Sequence, residues 1–343
     1  MPNPRNITIT EVARAAKVSI QTVSAVLNDK PGISEPTRVR IRRIVARLNY
    51  HPNGLASSLR ARRSQTVGVV IPTITNPFFP EFVRGAEDAA HRNGYSLFLC
   101  NSDEDCAKEI QYLQLLRRHR AAGFLVVSVS ENAEADRLLA ELAAAKTPVV
   151  TMGPRRAHPD VVAVEIDDAE IARLATAHLA GLGHRRIAFI TPPPSKGICA
   201  ARITGYGQAL KEARITRRYL VEGGFGFVDG IHGAQTLMAS LKPPTAIVAA
   251  NDLAAIGAIS ALKRLRFRVP GDVSVVGIDD IQMAAFIDPP LTTVAQPVYE
   301  MGRQAMEAIL ARVADPSLPG ATLSFNADLK IRQSTAPPSE AVP

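Results

Sequence analysis

Residues 8–28 read TITEVARAAKVSIQTVSAVLN, and the spacing within this stretch decides the first unit of the fold. Thr8 stands three positions before Glu11, the pattern of a capping box, and opens a short helix. Lys17 and Val18 turn the chain, and Ser19 is placed to cap a second helix that runs to Asn28. In that second helix Val23, Val26 and Leu27 recur at helical spacing and form an inward face, which leaves Ile20, Gln21, Ser24, Ala25 and Asn28 outward. Ser34 is placed to cap a third helix with Pro36 in its first turn, where proline gives up no hydrogen bond. Ile41, Ile44, Val45 and Leu48 then fall at i, i+3, i+4 and i+7, while Arg38, Arg40, Arg42, Arg43 and Arg47 project from other faces. Two short helices around a tight turn, braced by a third, describe a helix-turn-helix.

Charge supports that reading. Through Arg63 there are 12 Lys/Arg against 3 Asp/Glu, a net of +9, whereas all 343 residues carry only +8. The remainder is therefore close to neutral, and the positive charge belongs to the first sixty residues. Charge gathered in this way points to a polyanion as partner, with an affinity that falls as salt rises.

The segments ITEVARAAKVSIQTVSAVLN and ISEPTRVRIRRIVARLNYHPNGLASSLR resemble the start of the LacI family of bacterial repressors without a gap across about 55 residues. The resemblance implies that the second helix enters the major groove of duplex DNA, with Ile20, Gln21 and Ala25 facing the bases. Gln21 can pair bidentately with adenine, and Ile20 can offer only apolar contact, as to a thymine methyl. Ser19, Thr22, Ser24, Asn28 and Tyr50 match positions used for phosphate contacts and local capping. Ala25 departs from the family, many members of which carry a larger polar or basic side chain there.

His51 to Arg60 read alone as a linker leading into the polar stretch Arg62-Arg63-Ser64-Gln65. The same resemblance makes this the family's hinge helix. Leu59 is then the wedge inserted into the minor groove, Asn53 and Ala56 share its helical face, and Arg60 lies against backbone or groove edges. Gly54 weakens this short helix, so it is expected to fold only on DNA and to be switched by small movements of the domain it is tethered to.

From Thr66 onward apolar runs alternate with helical stretches: 67–71, 96–100, 124–127 and 149–152, then 187–190, 246–250 and 273–277. Strands separated by helices imply parallel, doubly wound sheets. A changeover near 161–168, with Asp288-Pro289-Pro290-Leu291-Thr292-Thr293-Val294 as a crossing back, implies two similar subdomains facing a cleft. The segments ITNPFF, HLAGLGHRRIAFI, ARITGYGQAL, AANDLAAIGAI, VVGIDD and DPPLTTVAQP continue the resemblance to the family's periplasmic-binding-protein-like core. By that resemblance the effector pocket uses Phe78, Phe79, Arg202 and Phe225, together with Asn251, Asp279 and Gln296. Aromatic faces that stack and polar groups that direct hydrogen bonds suit a sugar or sugar derivative, with a nucleoside or purine as the alternative. Gly153 stands where several relatives place an aspartate, which removes one anchoring carboxylate.

The expected fold class is α/β: an N-terminal all-α helix-turn-helix head (1–50), a hinge (51–65) and an effector-binding core (66–332). The core divides into subdomain 1 (66–164 and 294–324) and subdomain 2 (165–293 and 325–332), and a proline-rich tail (333–343) is expected to be disordered. No early segment joins a basic start to an apolar run and a cleavage site, and no apolar stretch is long enough to cross a bilayer, so a cytoplasmic protein with no membrane partner is expected. Cys100, Cys106 and Cys199 show no metal-ligand spacing and imply no disulfide framework. Neither a metal nor a cofactor is expected. The run Gly223 to Gly230 fails the G-x-G-x-x-G spacing of a dinucleotide site, Asp167-Asp168 and Asp279-Asp280 lack histidine partners at ligand spacing, and His184 reads as a turn residue. No catalytic set emerges, which argues against an enzyme; the basic head argues against a transport receptor. A palindromic operator requires two heads, hence a homodimer.

Overall fold

The computed structural model describes residues 7–27, 29–50, 64–128, 131–153 and 158–339. The chain divides into two compact units between Ser64 and Gln65.

The first unit holds α1 (Ile9–Ala16), α2 (Ile20–Leu27) and α3 (Glu35–Arg47). The capping box is present: Thr8 N donates to Glu11 Oε2 at 2.7 Å, and Glu11 N donates to Thr8 Oγ1 at 3.4 Å. Lys17 takes a left-handed conformation (φ 52°) that ends α1, and Thr22 N donates to Ser19 Oγ at 3.1 Å to start α2. Val12, Ala13 and Ala16 of α1, Val23 and Val26 of α2, and Ile41 and Ile44 of α3 close a core onto which Tyr50 packs. Two expectations change. Ser34 stands at the N-cap of α3, but its hydroxyl pairs with Thr37 Oγ1 at 3.0 Å and makes no cap bond to the backbone. Two of the arginines assigned to free faces are held within the unit: Arg38 donates to the carbonyls of Lys30 and Ile33, and Arg42 Nη2 meets Asp29 Oδ1 at 2.6 Å. The Asp29 carboxylate and the carbonyls of Lys30 and Ile33 sit within reach of α3, and the sequence pattern alone gave no sign of that.

The second unit contains two six-stranded sheets. The first sheet is built from β1 (Thr66–Ile71), β2 (Ser96–Asn101), β3 (Gly123–Val127), β4 (Val149–Met152), β5 (Val162–Ile166) and β11 (Thr322–Phe325), in the order β11-β5-β4-β3-β1-β2. Its helices are α4 (Phe78–Arg92), α5 (Cys106–Arg118), α6 (Ala133–Ala144) and α11 (Val298–Ala314). The second sheet comprises β6 (Ile187–Thr191), β7 (Tyr219–Glu222), β8 (Ala246–Ala249), β9 (Ser274–Asp279), β10 (Thr292–Ala295) and β12 (Asp328–Lys330), ordered β12-β10-β9-β8-β6-β7. Its helices are α7 (Asp168–Gly181), α8 (Gly197–Glu212), α9 (Phe227–Met238) and α10 (Asp252–Arg264). All described pairings are parallel except β10 with β12. The chain passes between the sheets after β5, after β10 and after β11. The first sheet runs through Ile166 and Phe325 and the second through Ala295, each a residue or two beyond the limits expected from sequence.

The helices press close because glycines meet backbone at their crossings. A Cβ at Gly302 of α11 would collide with the Phe82 carbonyl of α4, and one at Gly85 of α4 would collide with the Tyr299 carbonyl of α11. Gly230 and Gly257 form the same reciprocal contact between α9 and α10.

The expectation of a disordered tail is corrected for 333–339. Ser334 is fully buried; its carbonyl accepts from Val275 N at 2.8 Å, and its hydroxyl donates to Val275 O at 2.6 Å and accepts from Thr292 N at 2.8 Å. His184, read as a turn residue, follows the turn after α7 and is buried. It is 1% exposed, bonded through Nδ1 to Thr245 Oγ1 and through Nε2 to Ser274 Oγ and the Ala336 carbonyl, and its burial pushes its pKa down. Small side chains let this segment lie against the starts of β9 and β10, although the same composition reads as disorder by itself. Gly302→Ala is expected to cost about 1–3 kcal/mol through overpacking of α4 on α11, read as a lower urea midpoint with an unchanged slope.

Candidate nucleic-acid interface and effector cleft

In the head, amphipathicity fixes which side of α2 is free. Val23 and Val26 are buried, Ile20 is 39% exposed, Gln21 is exposed, and Ser24 and Ala25 are half-buried on the same outer side. Ser19 and Thr22 join hydroxyls at 2.9 Å at the start of the helix. Tyr50, expected by resemblance at a position of phosphate contact and local capping, is 8% exposed and packs in the core of the head. Asn28, Asn53, Ala56, Leu59 and Arg60 lie outside the described residues.

In the core, one cavity of about 750 Å³ is lined from both subdomains, and it collects all seven residues expected at the effector site. Phe78 and Phe79 enter it from the start of α4. Their backbone amides bond to Asn76, and their rings meet edge to face at 5.2 Å between centroids. Both are also members of the first subdomain's apolar core, which holds them rigid. Arg202, on α8 and 5% exposed, donates through Nε to Asp168 Oδ1 at 2.8 Å and through Nη1 to the Ala250 carbonyl at 2.6 Å. Asn251 caps α10 by accepting from Ala254 N, while its buried Nδ2 has no hydrogen-bond partner among the described residues. Phe225 stands in the loop before α9. Asp279 ends β9 with φ 119°, and its Oδ1 accepts from Gln296 Nε2 at 2.8 Å.

Burial sets the electrostatics. Asp279 is pushed up to about 7, first by desolvation, against the pull of Arg202 and the hydrogen bond from Gln296. Behind it Asp252 is fully buried and raised well above the usual carboxylate range, by burial and then by the neighbouring Asp279. Among the described residues no cluster of histidine, cysteine and carboxylate groups could hold a metal ion, and no helix is long and apolar enough to cross a membrane.

Residues 8–53 match the family described as bacterial regulatory proteins, lacI family, and residues 176–335 match the periplasmic binding protein-like domain. The HTH-type transcriptional repressor PurR of Aliivibrio salmonicida is 37% identical over 314 residues, covering 90% of this chain and 92% of that protein. The chain belongs to the LacI family. A second relative, the ribose operon repressor of Haemophilus influenzae, is 35% identical over 329 residues, covering 95% of this chain and 98% of that protein. Among solved structures, the lac repressor dimer bound to operator and the anti-inducer ONPF superposes with a TM-score of 0.85 at 26% identity, across 97% of this chain and 100% of that one. A LacI family regulator from Enterococcus faecium with bound ribose gives a TM-score of 0.73 at 31% identity, over 80% of this chain and 100% of that one. The protein is thus a DNA-binding transcriptional regulator and not an enzyme.

This LacI-family member departs from the expected pattern for a structural reason at Gly153. Its φ is 106°, and an added Cβ would strike the Ser128 carbonyl, so no side chain fits there without moving the strand end. Sequence reading missed Asp168 as the partner of Arg202. Asp167 and Asp168 look alike in sequence, yet Asp167 caps α7 through bonds from Ala169 N and Glu170 N, and only Asp168 faces the cavity. It also missed Glu165 and Asp229 on the cavity wall and the buried Asp252. Gly223, Gly224 and Gly226, set aside as a false dinucleotide loop, form part of the wall, with Gly226 N donating to Asp229 Oδ2 at 2.9 Å.

The raised Asp279 carboxyl makes a stability prediction. It binds a proton in the native state between about pH 4 and 7 that the unfolded chain has released, so its contribution is complete below pH 4 and is lost as pH rises through 7. Asp279→Asn is therefore expected to flatten the fall in urea-unfolding free energy between pH 4.5 and 7.5 relative to the parent. An unchanged slope would remove the buried acid from the account.

Proposed function

We propose that this LacI-family regulator is a cytoplasmic repressor that binds a palindromic operator as a homodimer, and that a sugar or sugar derivative in the cleft controls the binding. The observation that carries the effector reading is the convergence of Phe78, Arg202, Asn251, Asp279 and Gln296, from two subdomains, on one cavity. Such a site changes shape when the subdomains shift, so a ligand bridging both walls favours one arrangement over another. Arg202 and Asn251 offer donors, Asp279 an acceptor, and Phe78 and Phe225 apolar faces, the set that a polyol ring uses. The ribose operon repressor among its relatives and the ribose-bound structural neighbour support a ligand of this class. The three phenylalanines also favour a second reading, a purine or nucleoside held by stacking.

In the head, exposed Gln21 and Ile20 read base edges, and Ser19, Thr22 and Ser24 hold the backbone. Ala25 leaves one hydrogen-bonded base contact unmade. The operator-bound lac repressor dimer among the structural neighbours supports the dimeric reading. In this proposal Leu59 is the minor-groove wedge, with Asn53 and Ala56 on its helical face and Arg60 against backbone or groove edges.

Two measurements test the DNA side. Gln21→Ala is expected to weaken operator binding about 10- to 100-fold and to relax preference at one base position, by fluorescence anisotropy across substituted operators. Leu59→Ala is expected to weaken operator binding much more than binding to random duplex; equal losses on both would remove the wedge assignment. Addition of ribose, then of hypoxanthine, at fixed salt separates the two effector readings by which one shifts the operator titration.

A further inference from the structure

The cleft carries a charge pattern that narrows its ligand further than shape does. Among the described residues its wall includes six carboxylates, at Asp103, Glu104, Glu165, Asp168, Asp229 and Asp279, and a single arginine, Arg202. The cations described at or near the cleft are already committed to carboxylates. Arg202 is held by Asp168 at 2.8 Å, Lys196 at the rim by Glu104 at 2.6 Å, and Lys108 by Asp103. Glu165, Asp229 and Asp279 have no ion-pair partner among the described residues. The hydrogen bonds that Asp229 and Asp279 accept come from neutral groups, the Gly226 amide and the Gln296 amide.

An anionic group entering this space would meet the Glu165 and Asp229 carboxylates, with no cation beside them among the described residues, and further repulsion as Asp279 ionises near pH 7. It would gain Arg202 only in competition with Asp168. Two of the helix starts at the cleft are closed to an anion: Gly226 N, at the start of α9, is bonded to Asp229, and Asn251 Oδ1 occupies the Ala254 amide at the start of α10. The start of α8, at Gly197, carries no side-chain cap, and Glu104 stands beside it on Lys196. A hydroxyl or ammonium, by contrast, donates to Glu165, Asp229 and Asp279 directly, while the unpartnered Nδ2 of Asn251 offers a donor to a hydroxyl oxygen.

We infer that the cleft excludes anions: it takes a polyhydroxylated ligand that is uncharged or carries an amino group, and rejects the phosphorylated form of the same sugar. The inference rests on the cleft being the effector site. It makes the regulator a reader of unmodified ligand, upstream of any reaction that transfers a phosphoryl group to it.

The test is a thermal-shift and calorimetric panel on the full-length protein at constant ionic strength. Matched pairs serve as probes: ribose with ribose 5-phosphate, glucose with glucose 6-phosphate, inosine with inosine 5′-monophosphate, and glucosamine with glucosamine 6-phosphate. The expected result is binding by at least one neutral or amino member, with its phosphorylated partner at least tenfold weaker, about 1.4 kcal/mol. Glu165→Lys is expected to narrow that gap threefold or more. A phosphorylated member binding as tightly as its partner overturns the inference and leaves the cleft as the effector site. A gap that Glu165→Lys leaves unchanged overturns its electrostatic cause. A panel in which no member binds overturns the effector reading itself.

Discussion

The Asp252 carboxyl, beyond the reach of solvent, ties three elements of the second subdomain together. It sits at the first position of α10, accepts from the Ile281 amide just past β9 at 2.8 Å, and accepts from Thr293 Oγ1 in β10 at 2.6 Å. A buried carboxyl of this kind is tolerated only when its oxygens are satisfied, and both are. Gly277 makes the room, since a Cβ there would collide with Asp252 Oδ1. The turn at the end of β9 can therefore carry two consecutive residues at positive φ, Asp279 and Asp280, with Asp280 further fixed to Arg332 at 2.6 Å. That conformation is costly for aspartate and persists because the surroundings hold it.

This clamp yields a polar wall whose pieces are set before any ligand arrives. Asp279 meets Gln296, the residue after β10, and Arg202 meets Asp168 and the Ala250 carbonyl beside Asn251. The opposite wall sets a fixed apolar patch beside Asp103, Glu104 and Glu165, because Phe78 and Phe79 belong to the packing of α4 against α11. A ligand in such a site gives up little free energy to ordering of the protein. The chain crosses between the subdomains at three places, and the segments after β5, β10 and β11 are each short.

Much of this was legible in the sequence because it depends on local rules. The Thr8–Glu11 capping box, the inward Val23 and Val26, and the alternation of apolar runs with helices each follow from spacing over a few residues, and each is found in the structure. The seven residues expected at the effector site came from resemblance, and all of them line one cavity. Pairing over long separations escaped. Asp168 with Arg202, Asp252 with Thr293, and His184 with Ala336 are joined only after the sheets form. Tyr50 is placed by resemblance and Arg38 by helical spacing, yet Tyr50 packs in the core of the head and Arg38 is held by the carbonyls of Lys30 and Ile33. Ser334 to Ala336 read as disorder by composition, yet they pair with β9, because small residues fit wherever a sheet leaves backbone groups unpaired.

The sequence by itself determined the two kinds of unit, the basic head with its exposed Ile20 and Gln21, and the family, since these depend on residue type and near-neighbour spacing. Only the tertiary structure decided which carboxylates face the cleft, which cations are already spent, and why Gly153 admits no side chain. Charge balance and steric room inside a cavity are sums over residues far apart in the chain, and they exist only once folding has brought those residues together.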